Sequence, residues 1–129
     1  MYKEERIEHA NKLIAIVVRA KTKVDNIRFF TDSTNPLQMA LHSYDHKRET
    51  NVHKPGTRKP KLIHEFHKFI SITRGIATVY LMDKNVNIFC KKRLSKGDSM
   101  IIMNTFHKIV FSKNSDAIEI KQGPYEPDT

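Results

Sequence analysis

Along the first twenty residues the apolar positions Ile7, Ala10, Leu13, Ile14 and Val17 recur at three- and four-residue spacing, with no Gly or Pro between them. One face of a helix carries that spacing, so it predicts a helix over residues 4–20 inside an N-terminal helical segment, 1–24. Glu4 and Glu5 in its first turn, with Arg19 and Lys21 at its end, suit the helix dipole. Beyond it the period changes to two. Residues 27–31, 37–44, 49–53, 65–73, 76–82, 86–91, 99–103, 108–112 and 117–121 read as short strands, separated by turn chemistry such as Asn35-Pro36, Arg74-Gly75 and Ser95-Lys96-Gly97-Asp98. All four glycines fall in such breaks. Many short strands with no second helix indicate an antiparallel barrel or sandwich. The basic stretch 54–61 reads as an exposed loop, since neither half would form a core alone. The whole chain, 1–129, is then one domain: a β-barrel over 27–121 behind the N-terminal segment, and a tail, 122–129.

Composition agrees with one folded domain. The chain has 129 residues, 39% of them hydrophobic and 29% charged, which is too apolar for full disorder. A single cysteine, Cys90, excludes an intramolecular disulfide framework and a multi-cysteine metal site. No apolar run approaches the roughly 20 residues that span a bilayer, and the first residues do not resemble a signal peptide. A soluble cytoplasmic protein with no membrane partner is expected. The 23 Lys and Arg against 14 Asp and Glu give a formal charge of +9, which raises the question of nucleic acid. The charge is spread, and the chain has no Gly-rich phosphate loop, aromatic-Gly RNA signature or Cys/His finger. No nucleic-acid partner is therefore expected; a nucleic-acid binder would need Arg58, Lys59, Lys61, Lys91, Lys92 and Arg93 on one continuous face.

Two sets of residues could carry chemistry. Seven histidines are present; His53 at a strand end and His107 after a short turn could converge inside a small barrel, and neutral imidazole is a common ligand for Zn, Fe, Ni or Cu. Ordinarily hydrogen-bonded histidines are the blander alternative. Strand parity places Lys68 on one face with Ile70 and Ile72, and His67 on the other with Phe69. If the isoleucines face inward, so does Lys68, and a buried ammonium needs a partner or an anionic ligand. The alternative is a lysine that reaches the barrel mouth.

The stretch 65–107 resembles a cupin core: an inward-facing strand to Arg74-Gly75, a hairpin, Gly97-Asp98, and a turn ending in His107. The run Ile102-Met103-Asn104-Thr105-Phe106-His107 is similar to the Pro-x-Gly-x-x-His end of the second cupin motif, with Asn104 in place of glycine. The C-terminal Ile120-Lys121-Gln122-Gly123-Pro124-Tyr125-Glu126-Pro127 looks like the ending of WbuC-type cupins, small proteins of bacterial O-antigen and other surface-polysaccharide gene clusters. Arg28 and Asn35-Pro36-Leu37-Gln38 fit the same layout. The resemblance implies a single cupin double-stranded β-helix (jelly-roll), mainly β, with an N-terminal α-helix packed outside it, and a homodimer.

It also implies a site. The family's His-x-His region holds only His53 here, with Asn51 or Pro55 in the other place; the usual glutamate falls on Lys68; the last histidine is His107. A lysine beside a divalent metal opposes binding. His64, which shares parity with Lys68, could replace the glutamate in a His53, His64 and His107 site for Zn, Fe, Ni or Mn. Alternatively the metal is lost and Lys68 binds an anionic or nucleotide-linked sugar, or the pocket is vestigial. The expected function is binding or modification of such a sugar in surface-polysaccharide biosynthesis, by isomerase- or epimerase-type chemistry with His107 and Lys68 as acid/base groups. Lys68, Asn51, Arg28 and Tyr125 would bind the substrate. The alternative is a non-catalytic sugar- or partner-binding regulatory cupin.

Overall fold

The computed structural model describes residues 4–52 and 65–123. Ten strands follow one another: β1 (Glu5–His9), β2 (Lys12–Val18), β3 (Asn26–Phe29), β4 (Ala40–Ser43), β5 (His67–Arg74), β6 (Ile76–Met82), β7 (Ile88–Ser95), β8 (Ser99–Met103), β9 (Phe106–Phe111) and β10 (Asp116–Lys121). They form a five-stranded sheet in the order β1-β2-β8-β5-β10, a three-stranded sheet in the order β7-β6-β9, and a two-stranded ribbon of β3 and β4, with every pairing antiparallel.

No helix forms among the described residues, which corrects the expectation for 4–20. Ala10 and Asn11 both take positive φ, 51° and 62°, and His9 pairs with Lys12 around them. This is the mirror-image two-residue turn that suits the right-handed twist of a hairpin. The three- and four-residue spacing was part of a longer run: Leu13-Ile14-Ala15-Ile16-Val17-Val18 is apolar at every position. Such a run, rich in β-branched side chains, belongs to a strand buried on both faces. Ile14 and Ala15 turn to the same side because the ladder skips Ile14, Ile7 pairing with Ala15 and Glu8 with Leu13. The strands expected from residue 65 onward are present, whereas 49–52 are irregular and exposed.

Strands β5 and β6 make one long ribbon bent at Gly75, and β7 and β8 make another bent at Lys96-Gly97-Asp98, paired along its length. The Ile72 N–H donates to the Asp98 carbonyl and the Gly97 N–H to the Ile72 carbonyl, carrying the ladder across the bend. Strands β9 and β10 follow the other side of the first ribbon. The bends lay the three-stranded sheet over the five-stranded one. Between them lies a core of Ile7, Ile14, Ala15, Val17, Ile70, Ile72, Ala77, Val79, Leu81, Leu94, Met100 and Ile102. Burial of each large side chain contributes roughly 1.5–3 kcal/mol. The opposite face of the large sheet holds Ile16, Val18, Ile101 and Met103 under Phe30 and Met39, next to the β3–β4 ribbon. The sheets keep open edges, so the described strands form a layered sandwich without a closed barrel. Strands β1 and β2 belong to the large sheet, so the β unit begins before residue 27.

Candidate functional site

The bends gather at one end of the sandwich, and the other end holds the starts of β5 and β9 and the finish of β10. Lys68 pairs with Ile102 and Lys121, and Ile102 belongs to the core between the sheets. Lys68 and Lys121 therefore face that space from the large sheet. His107 pairs with Leu81, another member of that core, so it faces the same space from the small sheet. The parity expected for Lys68 holds, and the topology brings Lys68 and His107 to one end from opposite sheets.

The ammonium of Lys68 is not left alone. Its Nζ lies 3.3 Å from Glu119 Oε1, and its side chain keeps 22% of its exposure. The neighbouring strand supplies the countercharge, so burial of this end is tolerated. His107 Nδ1 lies 2.8 Å from the Thr105 carbonyl oxygen. A carbonyl only accepts, so Nδ1 carries a hydrogen and Nε2 is the basic nitrogen of the neutral ring. Positive φ at Asn104 (41°) shapes the turn that leads into this strand, as its place in the motif suggests.

His53, His64 and Tyr125 lie outside the described residues. Asn51 is exposed in the irregular stretch after β4. Arg28 sits on β3 beyond the other face of the large sheet, donates to Glu4, and lies 5.6 Å over the Phe30 ring. The structure thus brings together Lys68 and His107 and leaves Arg28 elsewhere. A surface depression of about 450 Å³ beside the β3–β4 ribbon, lined among others by Lys23, Tyr44, His46 and Arg48, is separate from both.

No group of three or more His, Cys, Asp or Glu side chains is placed to hold a metal among the described residues. Toward the space between the sheets at this end they offer one imidazole, His107, and one carboxylate, Glu119, the latter already bound to an ammonium. Lys68 and Lys121 beside them oppose a divalent cation, and the other two expected ligands, His53 and His64, lie outside the described residues.

His67, on the opposite face of β5, is the histidine that sequence reasoning passed over. It is 3% exposed; Asn35 Nδ2 lies 3.3 Å from its Nδ1, and its backbone N–H donates to Gln122 Oε1 at 2.7 Å. The Asn35 amide is the donor, so the ring hydrogen falls on Nε2, which has no hydrogen-bond acceptor among the described residues and meets Glu65 Oε2 only at 3.5 Å. Burial pushes its pKa below the ordinary value, more than Glu65 raises it. Its parity with Phe69 was the available signal. His9 stacks on Phe89 with ring centroids 4.0 Å apart.

A second polar cluster is structural. The Asp98 carboxylate accepts from the Ala20 N–H at 3.0 Å, the Ser95 N–H at 2.8 Å and Arg19 at 3.1 Å. Arg19 in turn holds Glu5 at 2.6 Å, and Lys92 joins at 3.0 Å. It ties the β7–β8 bend to the N-terminal hairpin.

No protein-family model, curated protein or solved structure matches the chain.

Proposed function

We propose that the end of the sandwich where Lys68 and His107 face each other's sheets is the pocket of a cupin-type protein that binds or modifies an anionic or nucleotide-linked sugar in surface-polysaccharide biosynthesis. The observation that carries this reading is the convergence of Lys68, Lys121 and His107 on one space from two facing sheets. Cations there favour a phosphate or carboxylate. A base on one sheet and an acid on the other is the arrangement that proton transfer across a sugar ring needs. In this reading Lys68 holds the substrate's charge and acts as the acid opposite His107 Nε2, the base, with Thr105 fixing the ring. The mainly β architecture supports the cupin assignment, and a homodimer belongs to the same proposal.

The ion pair between Lys68 and Glu119 favours a second reading, a non-catalytic sugar- or partner-binding regulatory protein, because the ammonium is already engaged. Titration calorimetry with a uridine diphosphate sugar, a sugar phosphate, a uronate and a neutral hexose tests both. The anionic ligands bind and the hexose does not; Lys68→Met weakens binding by about tenfold or more, as loss of a charge-assisted hydrogen bond requires. His107→Gln leaves binding nearly intact and stops any isomerisation seen by NMR. Binding without turnover in the unaltered protein supports the regulatory reading, and no binding of any anionic sugar sinks both.

A further inference from the structure

No other described strand covers the outer face of the three-stranded sheet, and its register arranges side chains in rows across β7, β6 and β9. Lys91 pairs with Tyr80 and Tyr80 with Lys108; Arg93 pairs with Thr78 and Thr78 with Val110; Ile88 pairs with Met82 and Met82 with Phe106. Lys92, between Lys91 and Arg93, pairs with the core residue Val79 and reaches Glu5, so it leaves this face. The other two cations point outward. Lys91 Nζ sits 6.0 Å from the centre of the Tyr80 ring, and Phe106 is 58% exposed. None of the three strands contains an Asp or Glu. The neighbouring acid, Asp83 in the β6–β7 turn, accepts from the N–H groups of Asn85 and Asn87.

A face with three cations, two aromatic rings and no acid is not suited to a second copy of itself, since like charges would meet. It suits a linear anion with flat, uncharged groups along it. From this we infer that the outer face of β7-β6-β9 binds single-stranded nucleic acid, by a smaller set of cations than the continuous six-residue face set out from the sequence: Lys92 leaves this face, and Arg58, Lys59 and Lys61 lie outside the described residues. Lys91, Arg93 and Lys108 take the phosphates, and Phe106 and Tyr80 offer ring faces to the bases. The site is separate from the pocket of Lys68 and His107 and does not depend on it. Local motifs do not reveal it, because the three cations come from two strands and the rings from two, and only the register makes them neighbours.

Fluorescence anisotropy with a labelled oligo-dT and a labelled oligo-U, at 50 and 200 mM salt, tests the inference. Three phosphate contacts on a single strand give a slope of log K against log salt of about −2. The triple variant Lys91→Ala, Arg93→Ala, Lys108→Ala loses at least about tenfold in affinity at the lower salt, whereas Lys12→Ala with Lys21→Ala, on the N-terminal hairpin and the turn after it, changes it little. Phe106→Ala weakens the oligonucleotides by about fivefold or more but leaves heparin unaffected, because only bases stack. These side chains are exposed, and unchanged circular dichroism and melting show that the variants fold. Absence of oligonucleotide binding at 50 mM salt overturns the inference. So does equal or tighter binding of heparin or poly-glutamate with no effect of Phe106→Ala, which would mark a general polyanion or acidic-protein surface.

Discussion

His67 is buried as a neutral ring, and that has a pH consequence. Its folded pKa lies below the ordinary value of 6.5, with burial the main cause. The unfolded chain then binds more protons than the folded one between the depressed value and 6.5, so stability rises with pH across that window and falls on acidification. Glu5 acts lower on the scale. Arg19 holds its carboxylate below the ordinary 4.5, so its contribution is complete above 4.5 and is lost as pH falls through the depressed value. Urea unfolding between pH 4.5 and 8 therefore shows a loss beginning near 6.5 in the native protein, about 1.4 kcal/mol for each unit of depression. His67→Gln flattens it; an unchanged profile in that variant would show that another group titrates. At this scale the sequence was informative where parity decides. Lys68 faces inward because Ile70 and Ile72 do, and His67 faces the other way. The partners were not legible, since Glu119 reaches Lys68 only through the register of β10 on β5, and Asn35 reaches His67 across a long loop.

The N-terminal hairpin shows why an element can be misread. Three of the five apolar residues at helical spacing, Leu13, Ile14 and Val17, lie in a run with no polar position, and a period cannot be read from a run without gaps. The deciding signal was the turn, Ala10-Asn11, where asparagine tolerates positive φ and alanine does not. Ala10 at φ 51° carries backbone strain, so Ala10→Gly raises stability by roughly 0.5–1 kcal/mol, measured as a higher urea midpoint at unchanged slope. A helical segment would respond with the opposite sign, because glycine costs about 1 kcal/mol against alanine there. The later strands were legible because alternation and turn residues agreed, although β7 runs to Ser95, past the expected 91, and β9 begins at Phe106, before the expected 108. The candidate site was legible in part: Lys68 and His107 were found through spacing and motif, and the acid-free outer grid of β7-β6-β9 was not.

For the whole molecule, the bends decide which sheet covers which. Gly75 sits at φ +75°, and a Cβ there would meet the Ser115 Oγ, with the Asn114 carbonyl at 2.6 Å and Ser115 Cα at 2.8 Å. The Ser115 hydroxyl both donates to the Ile76 carbonyl and accepts the Ile76 N–H, each at 2.9 Å, so it has little room to move. Gly75→Ala is expected to cost about 2 kcal/mol or more, seen as a lowered denaturation midpoint, through strain and close approach together. Replacing Gly75 without loss would mean that the bend can form another way.

The bent ribbons also set an order of assembly. Strands β6 and β7 are joined by the short turn from Asp83 to Asn87 and register early, as a hairpin forms in microseconds. The pairing of Ala15 with Ile102 closes about two thirds of the chain, so β2 docks on β8 late. Pulse-labelled hydrogen exchange should protect the amides of Val79 and Leu81 before those of Ile16 and Val18; simultaneous protection would argue against this sequence of events. Until the hairpin arrives, β8 offers an unpaired edge lined with Met100, Ile101 and Ile102. That interval, rather than the finished fold, is when the chain is most exposed to aggregation.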